Sequence, residues 1–297
     1  MSNRSGQYVS LPSGLRQVAG AGELKLIICD LWGVLHNGES PYLTAINAIE
    51  SARNAGIETV FLSNAPRPRS FVRAHLIAMG VPENLTNYVV TSGGLARDEV
   101  RTQFAGCKLY HLGPRSDKNT IDGLPVEFVD HPDNADVILA TDLDFDRVED
   151  HRPWLANAAS RKVPFLCANP DRVVHVGDKL LLCAGSVADL YQRMGGDVHW
   201  FGKPTAFALL SCLGECGLAA DTDPKSILMI GDSLQTDMAG AAAIGCQGLF
   251  IAGGIHRTDY PEIVASAQDG QITTDSFRKI FGAGKAIPHA VLKQLVW

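Results

Sequence analysis

Three apolar runs of strand length each end in a polar residue, and helical patterns separate them along the chain. The runs, with the polar residue after each, are 24–29 with Asp30, 57–62 with Ser63, and 226–230 with Asp232. Apolar strands that alternate with helices predict a parallel α/β sheet, and open sheets of this kind bind ligands at the carboxyl ends of their strands. We therefore expect these three polar residues to lie at one ligand-binding edge.

The segment between the second and the third of these runs also alternates strand and helix patterns, and no low-complexity linker separates it from the rest. It is long enough to have a core of its own. We therefore expect a core domain formed by residues 1–84 and 199–297, with a second domain inserted at 85–198. The last stretch, about 270–297, has a helical pattern.

Composition excludes several classes of partner. The net charge is −6 and no run of Lys and Arg occurs, whereas proteins that bind nucleic acid or anionic membranes need a basic surface. No apolar stretch reaches the roughly 20 residues that span a bilayer, and the first residues lack the apolar core of a signal peptide. The seven cysteines are scattered, several within apolar strands, which is typical of reduced thiols in a cytoplasmic protein.

The acidic residues predict a metal site. Asp30 ends a buried strand, where a carboxylate needs a cation or several hydrogen bonds to stay ionised, so it is a candidate nucleophile or metal ligand. Asp232 and Asp237 add carboxylates after the third strand. Because hard oxygen ligands suit Mg²⁺, the three together favour a magnesium site.

A second group of residues favours the binding of an anion. Ser63 and Asn64 offer a hydroxyl and an amide as donors. Lys203 stands just before a helical pattern that begins at Pro204, where its ammonium and the helix dipole both attract negative charge. With the carboxylates, these donors predict a magnesium site that also holds a phosphate group.

The motifs at Asp30, Ser63, Lys203 and Asp232 follow one another along the chain, with a large insertion between the second and the third. Together they resemble the motifs of the haloacid dehalogenase (HAD) superfamily. The resemblance covers nearly the whole chain and is to the class IIA phosphatase branch, which includes p-nitrophenyl phosphatase-like and phosphoglycolate phosphatase-like proteins. It implies a Rossmann-like HAD core with a parallel sheet and a large inserted α/β cap domain. It also implies Mg²⁺ as the cofactor and a small phosphorylated metabolite as the substrate, and a homodimer stays open.

The resemblance implies a role for each matching residue. Asp30 matches the nucleophile that forms an aspartyl-phosphate, Ser63 the residue that hydrogen-bonds the transferring phosphoryl group, and Lys203 the lysine that offsets its charge. Asp232 matches the acidic magnesium ligand and Asp237 supports the metal site.

Two further positions follow from the resemblance. The backbone carbonyl of Trp32 matches a metal ligand that does not depend on the side chain. The stretch 168–171 resembles a class IIA segment near the boundary of the cap, and it makes Asn169 a candidate for substrate contact; by itself, this stretch is as well explained as a turn.

Trp32 departs from the family pattern, because most phosphatases of the superfamily have an Asp there that protonates the leaving group and later activates water. An indole can do neither, and loss of such help costs about 10²–10⁴-fold in rate. Three explanations stay open. Either the leaving groups of the substrates need little protonation or the substrates' own groups supply the proton, or another residue such as His36 replaces the acid, or the site binds phosphate without useful turnover.

Haloacid dehalogenases also have an aromatic residue at this position, but they need no magnesium and lack the Gly-Asp-Ser-x-x-Thr-Asp arrangement found here. Asp232 and Asp237 therefore favour phosphoryl chemistry. The sequence predicts a Mg²⁺-dependent hydrolase of small phosphate esters, such as sugar or glycol phosphates. The alternative is a catalytically impaired protein that binds or senses a phosphorylated metabolite.

Overall fold

The computed structural model describes residues 8–20, 23–145, 147–176, 179–258, 261–282 and 286–297. It divides into two compact units by internal contacts. The first contains the chain up to Ser63 together with Arg73–Val89 and Leu209–Trp297, and the second contains Asn64–Val72 and Val90–Ala208. The predicted domain bounds, 1–84 with 199–297 and 85–198, stay a prediction.

The strands and helices follow one another in the α/β order that the sequence predicts. The strands are β1 (Tyr8–Ser10), β2 (Leu26–Asp30), β3 (Glu58–Ser63), β4 (Val89–Thr91), β5 (Lys108–Leu112), β6 (Glu127–Phe128), β7 (Val137–Ala140), β8 (Phe165–Cys167), β9 (Val173–Val176), β10 (Lys179–Leu182), β11 (Val198–Trp200), β12 (Ile227–Gly231), β13 (Gln247–Ile251), β14 (Gln271–Thr273) and β15 (Ala290–Leu292). The α-helices are α1 (Leu15–Ala19), α2 (Leu43–Asn54), α3 (Arg69–Ala78), α4 (Ser92–Gln103), α5 (Lys118–Ile121), α6 (Arg152–Ser160), α7 (Ala184–Arg193), α8 (Ala206–Glu215), α9 (Ala239–Ile244), α10 (Pro261–Asp269) and α11 (Thr274–Phe281).

The first unit is built on a sheet with the strand order β15-β13-β12-β2-β3-β4. The central strand β2 is buried along its whole length, because it pairs in parallel with both β12 and β3. Strands covered on both faces have continuous apolar runs, which explains the apolar residues before Asp30. The predicted α/β fold with a parallel, Rossmann-like sheet is confirmed.

The second unit has a five-stranded parallel sheet of its own, in the order β11-β8-β7-β5-β6. Its core lies between this sheet and the helices α6 and α7, and Phe165 and Tyr191 are its largest fully buried side chains. The Tyr191 hydroxyl donates to the carbonyl of Val163 at 2.7 Å, so the buried phenol is paired. A separate antiparallel hairpin, β9 with β10, follows β8.

The prediction of a helical stretch over 270–297 is wrong in part. Of the residues described in that stretch, only those of α11 are helical, while β14 pairs with β1 and β15 joins the main sheet beside β13. Ala290-Val291-Leu292 is a strand of three residues, too short for its period to be read from sequence. Within the described residues, no helix combines the length and the apolar character needed to cross a membrane.

Candidate functional site

The carboxyl ends of neighbouring strands in the first unit bring the predicted acidic residues together. Asp30 is the last residue of β2, Asp232 follows β12, and Asp237 lies in the π-helical turn Leu234–Met238. One oxygen of each carboxylate lies within 4.8 Å of the others, and all three side chains are buried. Ser63 lies at the same edge, since Asp30 pairs with Leu62 on β3.

Backbone amides hold two of these carboxylates in place. The Oδ2 atom of Asp232 accepts a hydrogen bond from the Ile255 amide at 2.7 Å. The Oδ2 atom of Asp237 accepts one from the Ser233 amide at 2.9 Å. Because these donors belong to the main chain, the orientation of both carboxylates is set by the fold.

Three glycines make room for the same carboxylates. A Cβ atom on Gly33 or on Gly254 would overlap the Asp232 carboxylate, and one on Gly231 would overlap that of Asp237. Gly33 also has a φ of +80°, a conformation that favours glycine. The backbone therefore forms a close cradle around the acidic group.

This arrangement fits a divalent cation. Three buried carboxylates at such short range repel one another strongly in a medium of low dielectric constant. A hard cation removes that repulsion and takes oxygen ligands of this kind. Asp30, Asp232 and Asp237 are therefore the residues that could hold Mg²⁺, and the contribution of the Trp32 carbonyl stays a prediction.

The indole of Trp32 lies over the loop that follows it. Its six-membered ring is so close to Gly38 that a Cβ atom there would overlap it, and Gly38 has a φ of +95°. The ring also meets the imidazole of His36 edge to face, with 5.7 Å between the ring centres. These two contacts hold the indole in position. It is still accessible to a ligand, because 46% of its surface is exposed.

His36, the candidate substitute for the missing acid, is buried at 6% exposure. Its Nδ1 atom accepts a hydrogen bond from the Gly38 amide at 3.0 Å. Burial, aided by the charge of His75, lowers the pKa of His36 to about 4. The imidazole is therefore neutral at pH 7 with its proton on Nε2, and a neutral imidazole is a poor proton donor.

Lys203 and Asn64 are bound to each other in the second unit. Lys203 is only 2% exposed, and its backbone amide donates to Oδ1 of Asn64 at 2.8 Å. The Nδ2 atom of Asn64 donates to the carbonyl of Lys203 at 3.2 Å and to Oδ1 of Asp171 at 2.9 Å. Both amide hydrogens of Asn64 are thus used within the protein, and the predicted contact of Asn64 with substrate stays a prediction.

Asn169 lies on the same turn as Asp171, between β8 and the hairpin. Its side chain forms a hydrogen bond with the Cys183 thiol, and its carbonyl accepts one from the Cys167 thiol at 3.3 Å. Burial, together with the charge of Asp171, raises the pKa of Cys183 to about 12, so this thiol is inert at neutral pH. Substrate contact by Asn169 stays a prediction.

Sequence reasoning named the stretch 168–171 but did not single out Asp171, whose carboxylate accepts the hydrogen bond from Asn64. The available signal was its position, since β8 and β11 are neighbours and the segments after both strands carry polar residues. The link to Asn64 spans 107 residues of chain, which no local pattern indicates.

Comparison with known proteins agrees with this geometry. Residues 27–127 match a family model described as haloacid dehalogenase-like hydrolase, and residues 200–278 match a second, HAD-hydrolase-like model. A haloacid dehalogenase-like hydrolase from Brucella suis 1330 is 36% identical, with a TM-score of 0.75, over 96% of this chain and 100% of that one.

Two further relatives have named activities. Ribonucleotide monophosphatase NagD from Escherichia coli (strain K12) is 22% identical over 80% of this chain and 90% of its own length. A glycerol phosphate phosphatase from Mycobacterium tuberculosis, crystallised with magnesium, is 21% identical with a TM-score of 0.65, over 91% of this chain and 75% of that one. The likeness to these two phosphatases agrees with the predicted class IIA branch, and from the two family models and the Brucella hydrolase the chain belongs to the haloacid dehalogenase-like hydrolases.

Proposed function

We propose that this chain is a Mg²⁺-dependent hydrolase of small phosphate monoesters that works through an aspartyl-phosphate on Asp30. The observation that carries the proposal is the group of three buried carboxylates at the end of β2 and β12. The named activities of the two relatives, on ribonucleotides and on glycerol phosphate, support a small phosphorylated metabolite as the substrate. A cytoplasmic location belongs to the same proposal, and a homodimer stays a prediction.

The chemical steps are in-line displacements at phosphorus. An oxygen of Asp30 attacks the phosphorus atom, the bond from phosphorus to the ester oxygen breaks, and the leaving oxygen departs as an anion that takes a proton from water. Water then hydrolyses the aspartyl-phosphate, which returns the Asp30 carboxylate and releases inorganic phosphate. Ser63 donates a hydrogen bond to the transferring group, and Lys203 offsets its negative charge.

Mg²⁺ held by Asp30, Asp232 and Asp237 would neutralise charge on the phosphoryl oxygens and on the nucleophile. Asp232 and Asp237 hold their carboxylates in fixed directions through the amides of Ile255 and Ser233. Fixed in this way, Asp232 and Asp237 would share with Asp30 a cation that removes the repulsion among the three acidic groups.

Trp32 limits the substrates in this proposal. The indole of Trp32 is not an acid that can protonate a leaving group, and the neutral His36 beside it is a poor replacement. Phosphate compounds with weakly basic leaving groups, namely aryl phosphate esters and acyl phosphates, are therefore the favoured substrates, because such leaving groups depart without a proton.

Trp32 also favours a second candidate function. A protein that lacks the general acid can bind a phosphorylated metabolite and magnesium while turning it over very slowly. In that case the chain acts as a binding or sensing protein, and its ligand keeps its phosphate.

Phosphate release separates the two candidates. Wild-type protein and Asp30→Asn are incubated with Mg²⁺ and a panel of alkyl, aryl and acyl phosphates, and inorganic phosphate is measured. We expect release by the wild type alone, fastest with acyl and aryl phosphates. Release no greater than that of Asp30→Asn on every compound would overturn the hydrolase proposal in favour of the binding protein.

A further inference from the structure

We propose that Asp171 is a positioning residue for Lys203, acting through the side-chain amide of Asn64. The proposal rests on the proposed function, in which Lys203 offsets the charge of the transferring phosphoryl group. Asp171 itself contacts the amide and has no assigned contact with the substrate.

The contacts of Asn64 form a two-sided clamp on Lys203. The amide oxygen accepts the backbone N–H of Lys203 at 2.8 Å, and the amide nitrogen donates to the carbonyl of the same residue at 3.2 Å. These two bonds fix the backbone from which the lysine side chain extends. The remaining hydrogen of the amide is bonded to Oδ1 of Asp171 at 2.9 Å, which fixes the plane of the amide.

The glycine next to Lys203 shows how tight this clamp is. A Cβ atom on Gly202 would lie 2.5 Å from Oδ1 of Asn64 and 3.0 Å from both Pro170 and Ser92. The hydroxyl of Ser92 in turn donates to the carbonyl of Phe201, just before Gly202. Asn64 is therefore packed against the turn that carries Lys203, and its amide has little freedom to rotate unless it leaves the turn.

The turn that carries Asp171 is held rigidly by its next neighbour. The guanidinium of Arg172 makes two hydrogen bonds with Asp189, each 2.9 Å, and lies over the indole of Trp200 at 5.0 Å. It also donates to the carbonyl of Pro170 at 3.1 Å. A side chain that is anchored at its far end in this way fixes the backbone on both sides of Asp171.

Helix α7 holds the same turn from its first residues. The amide of Gly185 donates to the carbonyl of Asp171 at 3.2 Å, and the Ser186 hydroxyl donates to that of Arg172 at 2.7 Å. A Cβ atom on Gly185 would overlap the carbonyls of Pro170 and Asp171, so the helix is in close contact with the turn. Asp171 thus presents a fixed carboxylate to the amide of Asn64, so positioning acts from Asp171 through Asn64 to Lys203.

Charge and strand order support the same assignment. A hydrogen bond from an amide to a carboxylate is about twice as strong as one between neutral groups. The turns of Asp171 and Lys203 follow the neighbouring parallel strands β8 and β11, so the sheet sets their spacing. The clamp therefore connects Lys203, which has a proposed role in catalysis, to a rigid scaffold, and catalytic groups need such support.

The test uses the full chain and four variants, with p-nitrophenyl phosphate and Mg²⁺ as the assay. The variants are Asp171→Asn, Asn64→Asp, the double variant that carries both, and Glu149→Gln as the control. Glu149 forms an exposed ion pair with Arg152 at 2.7 Å in the same unit, so its variant also removes one negative charge. Tm is measured for each variant to report folding.

We expect Asp171→Asn to lower kcat about 10- to 100-fold with Tm close to that of the wild type, because a misplaced group loses its contribution to the transition state. Asn64→Asp places two carboxylates in contact and should lose at least as much. The double variant restores a donor opposite a carboxylate, so it should recover part of kcat relative to Asn64→Asp, a coupling that a general loss of stability does not produce. Glu149→Gln should match the wild type.

Two results would overturn the proposal. One is a kcat for Asp171→Asn within about twofold of the wild type. The other is a loss that follows Tm across the variants and shows no coupling in the double variant. If the wild type releases no phosphate at all, the proposed function fails, and the clamp is tested by the binding of orthovanadate with Mg²⁺; unchanged affinity in Asp171→Asn would then overturn it, and weakened affinity would support it.

Discussion

The carboxylates of the first unit and the clamp of the second are organised in opposite ways. Asp30, Asp232 and Asp237 concentrate negative charge, and backbone amides and glycines hold them in an arrangement that needs a cation. Asn64 and Asp171 hold Lys203 mostly through neutral hydrogen bonds, in an arrangement that is complete without a ligand. The first region should therefore respond to metal, and the second should respond to changes in hydrogen-bonding geometry.

The largest effect should come from the carboxylate that acts as nucleophile. Asp30→Asn should lower phosphate release by at least about 10⁴-fold, because an amide cannot replace the attacking oxygen. In metal-free buffer the same variant should be more stable than the wild type by a few degrees in Tm, because one of three repelling charges is gone. Glu149→Gln, which removes an exposed carboxylate, is the control; a Tm of Asp30→Asn below that of the wild type would contradict the repulsion.

Trp32→Asp should give the next largest effect and should depend on the substrate. Restoring a carboxyl group supplies a proton to leaving groups that need one, so alkyl phosphates should gain about 10- to 100-fold in kcat, and aryl phosphates far less. The measurement is the dependence of kcat on the pKa of the leaving group, which should be steep for the wild type and shallow for the variant.

Trp32→Leu is the matched control, since it removes the indole and adds no acid. Equal gains by the Leu and Asp variants would show that the bulk of the indole, and not the absent acid, limits turnover. No gain in either would leave the limitation elsewhere in the site and contradict the role proposed for Trp32.

Magnesium should distinguish the two regions directly. At a concentration near 100 times its dissociation constant, a ligand that binds only the folded state stabilises it by about 2.7 kcal/mol. We expect Mg²⁺ to raise the Tm of the wild type and of Asp171→Asn equally, and to raise that of Asp232→Asn much less. Equal stabilisation of all three proteins would contradict a metal site at the carboxylates.

The sequence predicts the carboxylate region better than the clamp, for a physical reason. Asp30 and Asp232 follow buried strands, and parallel strands bring their ends to one edge, so order along the chain is enough to place them. Asp171 and Asn64 meet across 107 residues through a single hydrogen bond between side chains. Such a contact depends on how loops pack, and hydrophobic period carries no information about it.

The same reasoning explains two other differences between expectation and structure. The stretch 270–297 contains the strand β15 because these three residues pair with β13, and three residues are too few for local preference to indicate a strand. The environment of His36 was also beyond the sequence, since its low pKa comes from burial in the folded loop. Composition gives no measure of burial for a single histidine.

The smallest effect tests how the loop holds Trp32. Gly38→Ala should lower the free energy of unfolding by about 2–3 kcal/mol, because it adds backbone strain at a positive φ and an overlap with the indole. Gly56→Ala is the matched control: Gly56 has a similar φ of +85°, and nothing lies within 4 Å of its added Cβ. Urea unfolding of both variants, with and without Trp32→Leu, isolates the overlap. The excess cost at Gly38 should vanish once the indole is gone, and an excess that persists would show that the loop backbone, not the indole, requires glycine there.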